Sequence, residues 1–171
     1  GNKYIMVMVE IDSSAILVEP IKNRTDAKLT RAYSALMLRL QRAGVTPRKH
    51  VLDNEVSLAM KDLIRDTYKM TLELVPPGCH RRNAAEVAIC NFKSHFLSIL
   101  AGVAYDFPLN LWDKLLPQAE ITLNLLHQSN ATPTVLAYAH LNGLFDYNKM
   151  LLTPMGCNAQ VHKKTDSRGT W

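Results

Sequence analysis

The stretch HVLDNE, residues 50–55, decides how this 171-residue chain is interpreted. Its short apolar run, Val51-Leu52, predicts a strand over Lys49 to Asp53 that ends on a carboxylate. A second stretch, RRNAAE at residues 81–86, predicts a basic loop followed by a helix with Glu86 in its first turn. Brought together, the two carboxylates would place hard oxygen ligands on rigid elements, as half of a two-metal phosphoryl-transfer site. The pairing indicates chemistry that cuts and joins nucleic acid.

Length and hydropathy indicate one globular domain with a substantial core. Hydrophobic residues make up 47% of the chain, and the mean hydropathy is -0.07. No apolar run is long enough for a bilayer-spanning helix, so we expect no membrane partner. The start Gly1-Asn2-Lys3 resembles neither a signal peptide nor an initiator Met, and we interpret it as a cut inside a longer polypeptide.

Charge and cysteine content narrow the class of partner. The net charge of +5 and pI near 9.2 fit a phosphate-backbone partner, although many unrelated domains share this excess. The cysteines, Cys79, Cys90 and Cys157, form no CxxC pair. They therefore predict reduced thiols in an intracellular protein, without a disulfide frame or zinc site.

Periodicity predicts a mixed sheet with helices on its faces. Strands are expected at Tyr4–Glu10, Ala15–Glu19 (closed by Pro20), Lys49–Asp53, Met70–Val75 and, at the end, within Met155–His162. Helices are expected at Asn23–Ala43, Glu55–Tyr68, Ala84–Val103, Asn110–Gln128 (broken at Pro117) and from Thr132-Pro133 to His140. The first two strands form a hairpin around Asp12-Ser13-Ser14.

Each carboxylate also has an ordinary structural explanation. Asp53 or Asn54 could be the N-cap of the following helix, which is the more probable role of Asp53 alone. Asn83-x-x-Glu86 has the form of a capping box, in which the glutamate turns back to the cap N–H. Asp53 and Glu86 together, in this order of predicted elements, support a metal site more strongly than either residue does alone.

These motifs resemble the catalytic core of retroviral and LTR-retrotransposon integrases. Their sequence looks closest to that of copia-type elements. Val51-Leu52-Asp53-Asn54 is similar to the strand with the family's second catalytic Asp, and Arg82-Asn83-Ala84-Ala85-Glu86 with Asn91-Phe92-Lys93 to the helix with its catalytic Glu. The interval between Asp53 and Glu86 is close to the family's usual one. Thr132-Pro133 and Met155 through His162 look like the stretch after the core, so the resemblance divides the chain into a core (1–143) and a post-core extension (144–171).

The resemblance implies a ribonuclease-H-like fold and metal-dependent DNA 3′-processing and strand transfer. Asp53 and Glu86 would hold Mg²⁺ or Mn²⁺, element ends and target DNA would be the partners, and the full-length protein would be a homo-oligomer. The family has three strands before its first helix, with a leading catalytic Asp on the first, central strand. This chain has two, and Asp12 lies in a turn. We therefore expect the central strand upstream of Gly1, unpaired strand edges and no appreciable catalysis by this chain alone.

Basic residues near Glu86 are the expected DNA contacts. Arg81 and Arg82 precede the helix and could bind backbone phosphate, while a solubilising pair is the alternative. Lys93 lies two turns after Glu86 on the same helix face, although a solvated surface lysine is about as probable. Cys90 occupies a position that is often basic in relatives, which weakens the expected contact with DNA.

Two other functions stay open. One is a non-catalytic binding or dimerisation module, whose contact face would consist of Trp112, Leu115, Leu116, Ala119 and Leu123. The other is a different ribonuclease-H-like enzyme, such as a transposase or a nuclease of RNA–DNA hybrids. The Thr132-Pro133 stretch and the Met155 to His162 tail argue against this alternative.

Overall fold

A computed structural model describes residues 1–52, 56–75, 84–157 and 160. This part of the chain is mixed α/β, as the sequence predicts. Its elements are β1 (Tyr4–Val9), β2 (Ile16–Ile21), α1 (Asp26–Arg42), β3 (Lys49–Leu52), α2 (Leu58–Asp62) with a π-helical turn (Leu63–Thr67), β4 (Thr71–Leu74), α3 (Ala84–Gly102), a 3-10 helix (Leu109–Leu115), α4 (Leu116–Asn124) and α5 (Ala137–Asn142).

The hairpin predicted for the first two strands is confirmed. β1 and β2 pair antiparallel, from Tyr4 opposite Ile21 to Val9 opposite Ile16. The carboxylate of Glu10 accepts hydrogen bonds from the backbone N–H groups of Asp12 and Ser13, which fixes the turn. Asp12 thus has the turn role that the sequence indicates.

Pro20 lies inside β2, so the prediction that it closes the strand is wrong. The ladder places Pro20 on the edge of β2 that faces away from β1, because it alternates with residues that bond to β1. Proline lacks an N–H group and is tolerated where no partner strand needs one. The strand therefore continues through it to Ile21.

β3 and β4 form a separate parallel pair, joined by α2 and the π-helical turn. The register runs from Lys49 opposite Thr71 to Leu52 opposite Leu74. Within the described residues, the strands thus make two sheets of two strands each.

Two apolar cores lie on opposite faces of the hairpin. The first contains buried residues of α1 with others from β1, β2 and the β3–β4 region: Met8, Leu17, Tyr33, Leu36, Met37, Leu40, Met60, Ile64 and Met70. The second joins the hairpin to α3 and α4 through Ile16, Val18, Ala88, Phe92, Phe96, Leu115, Leu116, Ala119 and Leu123. Helices therefore cover both faces of this sheet.

The second core corrects the dimerisation face inferred from the sequence. Four residues of that face, Leu115, Leu116, Ala119 and Leu123, are buried inside the described fold. Trp112 packs against the same cluster and meets Phe96 edge to face. Their periodicity was that of a core-facing stripe, which does not distinguish an intramolecular contact from an intermolecular one.

Pro117 restarts a helix as predicted, since it lies at the beginning of α4 directly after the 3-10 helix. The expectation of a helix from Thr132 is wrong, because α5 begins at Ala137. An isolated β-bridge between Gln128 and Leu136 keeps the intervening backbone in a turn.

The segment after Gly143 contains no helix or strand among its described residues. Met155 and Gly156 lie in a turn there, and residues 158–159 and 161–162 of the proposed last strand fall outside the described residues. Gly156 has φ +71 and packs so closely against Phe107 and Val103 that a Cβ would come within 3.0 Å of an aromatic carbon. The division at residue 143 stays a prediction.

Candidate nucleic-acid and metal site

Of the predicted site residues, the structure describes Glu86 and Lys93. Glu86 lies in the first turn of α3, as the sequence predicts, and is partly buried. Lys93 is exposed on the same helix. Asp53, Arg81 and Arg82 lie outside the described residues. Leu52, which precedes Asp53 in the sequence, is the last residue of β3.

The end of β3 and the beginning of α3 border one cavity of about 910 Å³. Val51 and Leu52 line it from the strand, and Ala84 and Ala85 line it from the helix. The residue before Asp53 and the residue before Glu86 thus border the same space.

The described residues do not by themselves form a metal centre. No group of three or more His, Cys, Asp or Glu side chains that could hold an ion occurs among them. Glu86 offers hard oxygen ligands, whereas a two-metal site needs several carboxylates around the ions.

A neutral Tyr–His pair lines the same cavity. The Tyr33 hydroxyl lies 3.1 Å from Nδ1 of His50. Burial lowers the pKa of His50 to about 4 because the imidazolium loses its hydration. Burial, with a smaller contribution from Tyr68, raises the pKa of Tyr33. Both groups are uncharged at neutral pH, and their hydrogen bond joins β3 to α1.

A buried polar cluster closes the outer edge of β2. The side-chain amide of Asn124 accepts from the Ile16 N–H at 2.9 Å and donates to the Ile16 carbonyl at 2.8 Å. Glu120 accepts from the Val18 N–H at 2.8 Å and pairs with Arg39. The helix α4 thus supplies the hydrogen bonds that another strand would otherwise make.

Ser129 and His140 have the composition of a nucleophile–base pair but the environment of a structural contact. The Ser129 hydroxyl lies 2.9 Å from Nδ1 of His140 and also contacts the Asp12 carbonyl at 3.0 Å. Only 2% of Ser129 is exposed, so a substrate could not reach it. Through these two contacts Ser129 joins the hairpin turn to α5.

Sequence reasoning missed both the Tyr33–His50 pair and the edge cluster. The period-two alternation of His50 with Leu52 was a signal that His50 faces inward. For Asn124 and Glu120 the sequence gives only polar positions on an otherwise apolar helix face, without a partner.

Comparison with known proteins identifies no family for this chain. No protein-family model matches the chain, and no curated protein matches it significantly. Among the described residues, no helix is both long enough and apolar enough to cross a bilayer.

Proposed function

We propose that this chain is an integrase-type catalytic core, most similar to those of LTR retrotransposons, that binds DNA beside α3. The observation that supports this proposal best is the cavity shared by the end of β3 and the beginning of α3. On that cavity the chain places the residues adjoining Asp53 and Glu86, the two carboxylates that the resemblance assigns to catalysis.

The described fold is compatible with a ribonuclease-H-like arrangement. A hairpin, a helix, a strand, a helix, a strand and a long helix follow in that order. Helices cover both faces of the hairpin, as in an α/β layer architecture. We propose the specific fold on this element order together with the sequence resemblance.

Asp53 and Glu86 would hold Mg²⁺ or Mn²⁺, and such ions activate a nucleophile and stabilise a leaving oxygen at phosphorus. The contribution of the chain itself is positional. Glu86 is held on a helix of 19 residues, and exposed Lys93 extends from the same helix towards solvent. Together with Arg81 and Arg82, Lys93 would bind backbone phosphates, which orient DNA without reading its sequence.

The second candidate function is a non-catalytic DNA-binding module derived from such a core. It is favoured by the sequence, which matches only two of the family's three catalytic carboxylates, Asp53 and Glu86. Both candidate functions predict DNA binding, and they differ only in whether the protein catalyses DNA strand transfer. We expect the 171-residue chain alone to lack strand transfer, because two carboxylates are too few for a two-metal centre.

Fluorescence anisotropy with a labelled duplex tests DNA binding. The Kd should rise with salt, and Lys93→Ala should weaken binding several-fold and reduce the salt slope by about one counterion. Lys114→Ala is the matched control, since Lys114 is also exposed but lies on the 3-10 helix. Binding that is absent, or equally weakened by both variants, would contradict the proposed interface.

A strand-transfer assay with Mg²⁺ or Mn²⁺ tests the chemistry separately. We expect no product from the 171-residue chain, while the divalent ion should strengthen DNA binding through Asp53 and Glu86. Asp53→Asn and Glu86→Gln should each remove that metal-dependent increase and preserve the metal-free affinity. Metal-dependent product formation by the unmodified chain would refute the expected inactivity.

A further inference from the structure

Positive charge is concentrated in one part of this chain. Residues 20–52 contain eight Lys and Arg against a single carboxylate, Asp26, while the rest of the chain contains twelve Lys and Arg against fourteen Asp and Glu. The net charge of +5 therefore comes from this segment. The segment includes α1 and lies apart in sequence from Arg81, Arg82 and Lys93, the residues assigned to the DNA interface beside α3.

The outer face of α1 carries cations along most of its length. At 3.6 residues per turn, Lys28, Arg31 and Arg42 lie within about 60° of one another around the helix axis, and the buried residues of α1 are centred on the opposite side. Arg31 and Arg42 are exposed, and Lys28 is half-buried. The residues between them on this face, Ala35 and Leu38, carry no charge. From Lys28 to Arg42 the helix rises about 21 Å.

The fold adds three more cations at the N-terminal end of this face. The Lys3 N–H donates to the Ile21 carbonyl at 3.0 Å, so Lys3 lies beside Lys22 at the open end of the hairpin. Arg24 follows Lys22 closely, and its guanidinium lies 4.7 Å from the centre of the Tyr4 ring. All three cations are exposed. The whole set, here called the α1 band, consists of Lys3, Lys22, Arg24, Lys28, Arg31 and Arg42.

The stability of the fold does not account for these charges. The helix macrodipole favours a cation in the last turn, which explains Arg42, but it disfavours one near the N-terminus, where Lys28 lies. The ion pairs formed among the described residues involve Arg39, Lys49 and Lys149 and no member of the α1 band. Like charges without such partners repel one another, so the surface is suited to a polyanion.

The shape of the α1 band favours a nucleic-acid duplex. Phosphates of one strand follow one another every 3.4 Å along the duplex axis, so the straight row on α1 spans about six base pairs. Single strands bind by stacking their bases on exposed aromatic rings. The aromatic ring beside the band is that of Tyr4, and the Arg24 guanidinium already covers one of its faces.

The α1 band and the surface of α3 lie on opposite sides of the protein. Buried residues of α1 pack in the first core and those of α3 in the second, on the two faces of the hairpin. Their outer surfaces therefore point in opposite directions. A duplex of about 12 base pairs is far shorter than the persistence length of about 150 base pairs, so it stays straight and cannot reach both surfaces.

We propose that the α1 band is a second nucleic-acid surface, which binds the phosphate backbone of a second duplex on the side of the protein opposite α3. Contacts of this kind hold a duplex without reading its sequence. That the band is the second of two surfaces rests on the proposed function, whereas its own affinity for a duplex does not.

Lysine acetylation measured by mass spectrometry tests the two surfaces separately. The complete chain is acetylated with and without a DNA duplex of about 12 base pairs, the length at which one duplex cannot reach both surfaces. With duplex in excess, Lys22 and Lys28 should react at least threefold more slowly, while exposed Lys69, outside the band, should react at an unchanged rate. Full protection of both Lys28 and Lys93 should require two equivalents of duplex.

The outcomes separate this proposal from the proposed function. Protection of Lys93 without Lys22 and Lys28 would overturn the α1 band and leave the interface beside α3 standing. Protection of Lys22 and Lys28 without Lys93 would support the band and contradict the interface beside α3. Full protection of both surfaces by one equivalent of duplex would overturn the binding of a second duplex.

A charge-matched pair of double variants tests the band by affinity. Arg31→Ala with Arg42→Ala should weaken binding at the band at least tenfold, reduce its salt slope by about two, and leave the protection of Lys93 unchanged. Lys61→Ala with Arg65→Ala removes the same charge outside the band and should leave both surfaces unchanged. Equal effects of the two double variants would overturn the proposal. So would equal protection of Lys28 by polyglutamate at the same salt concentration, which would identify an acidic polypeptide as the partner.

Discussion

Replacing Asn124 with alanine should destabilise the fold more than the same replacement at any other uncharged polar residue of α4. Asn124 is 5% exposed, and its amide satisfies both backbone groups of Ile16. The alanine variant leaves a buried N–H and a buried C=O without partners. Each unsatisfied group costs about 1–3 kcal/mol, so the free energy of unfolding should fall by about 2–6 kcal/mol.

Urea denaturation followed by far-UV circular dichroism measures this loss. With an m-value that does not change, the midpoint should decrease in proportion to the lost stability. For a chain of this size, each 1 kcal/mol corresponds to a Tm decrease of about 2–4 °C. Asn142→Ala is the control, because exposed Asn142 makes only one hydrogen bond within its own helix and should change stability by less than about 0.5 kcal/mol.

Asn124→Leu separates hydrogen bonding from packing. Leucine fills a similar volume and contributes apolar surface, but it cannot satisfy Ile16. If the hydrogen-bond argument is correct, this variant should be nearly as unstable as Asn124→Ala, and the Ile16 amide should exchange faster in both. A leucine variant within about 0.5 kcal/mol of the unmodified chain would refute the argument that α4 closes this edge through its amide.

Three further predictions concern the cores and the segment after α5. Because burial lowers the pKa of His50 from 6.5 to about 4, the unfolded chain binds more protons than the folded one between these values. Stability is therefore complete above about pH 6.5 and should fall by roughly 2–3 kcal/mol as the pH decreases to 4; urea midpoints across that range should show a smaller decrease in His50→Asn. Leu36→Ala should cost about 2–5 kcal/mol in urea denaturation because Leu36 is fully buried, whereas Leu38→Ala, at a residue 45% exposed, should cost far less. Gly156→Ala should make the chain after α5 more sensitive to limited proteolysis than Gly44→Ala does. Both glycines have positive φ, but of the two only Gly156 has neighbours within 4 Å. Equal sensitivity of the two variants would contradict a packing role for Gly156.

Local periodicity was sufficient for most of the fold. The hairpin, α1, β3, β4 and α3 were predicted within a few residues of their observed bounds, because each shows its own apolar pattern. The start of α5 was wrong because Thr132-Pro133 has the local form of a helix start, while the bridge between Gln128 and Leu136 that delays the helix is not visible locally. At the site, the position of Glu86 in the first turn of a helix is confirmed, and Asp53 lies outside the described residues.

The contacts that close the β2 edge could not be predicted from sequence. Asn124 lies 108 residues from Ile16, and Glu120 lies 102 residues from Val18. Polar residues on a helix face are usually solvent-exposed, so nothing local distinguishes an amide that will bond to a distant strand. Pairing of this kind depends on which helix the completed topology places beside which edge.

One signal of edge type was nevertheless present in the sequence. Proline inside a strand is confined to edges, so Pro20 already indicated that one side of β2 has no partner strand. The run YIMVMV of β1 has no proline or charge and is apolar at every position, a pattern typical of strands with neighbours and cover on both sides. Exposed edges are usually protected by charge, proline or bulges, and β1 has none of these within its bounds. Strand composition alone therefore separates the edge of β2, which α4 closes, from the outer edge of β1, which has no partner strand among the described residues.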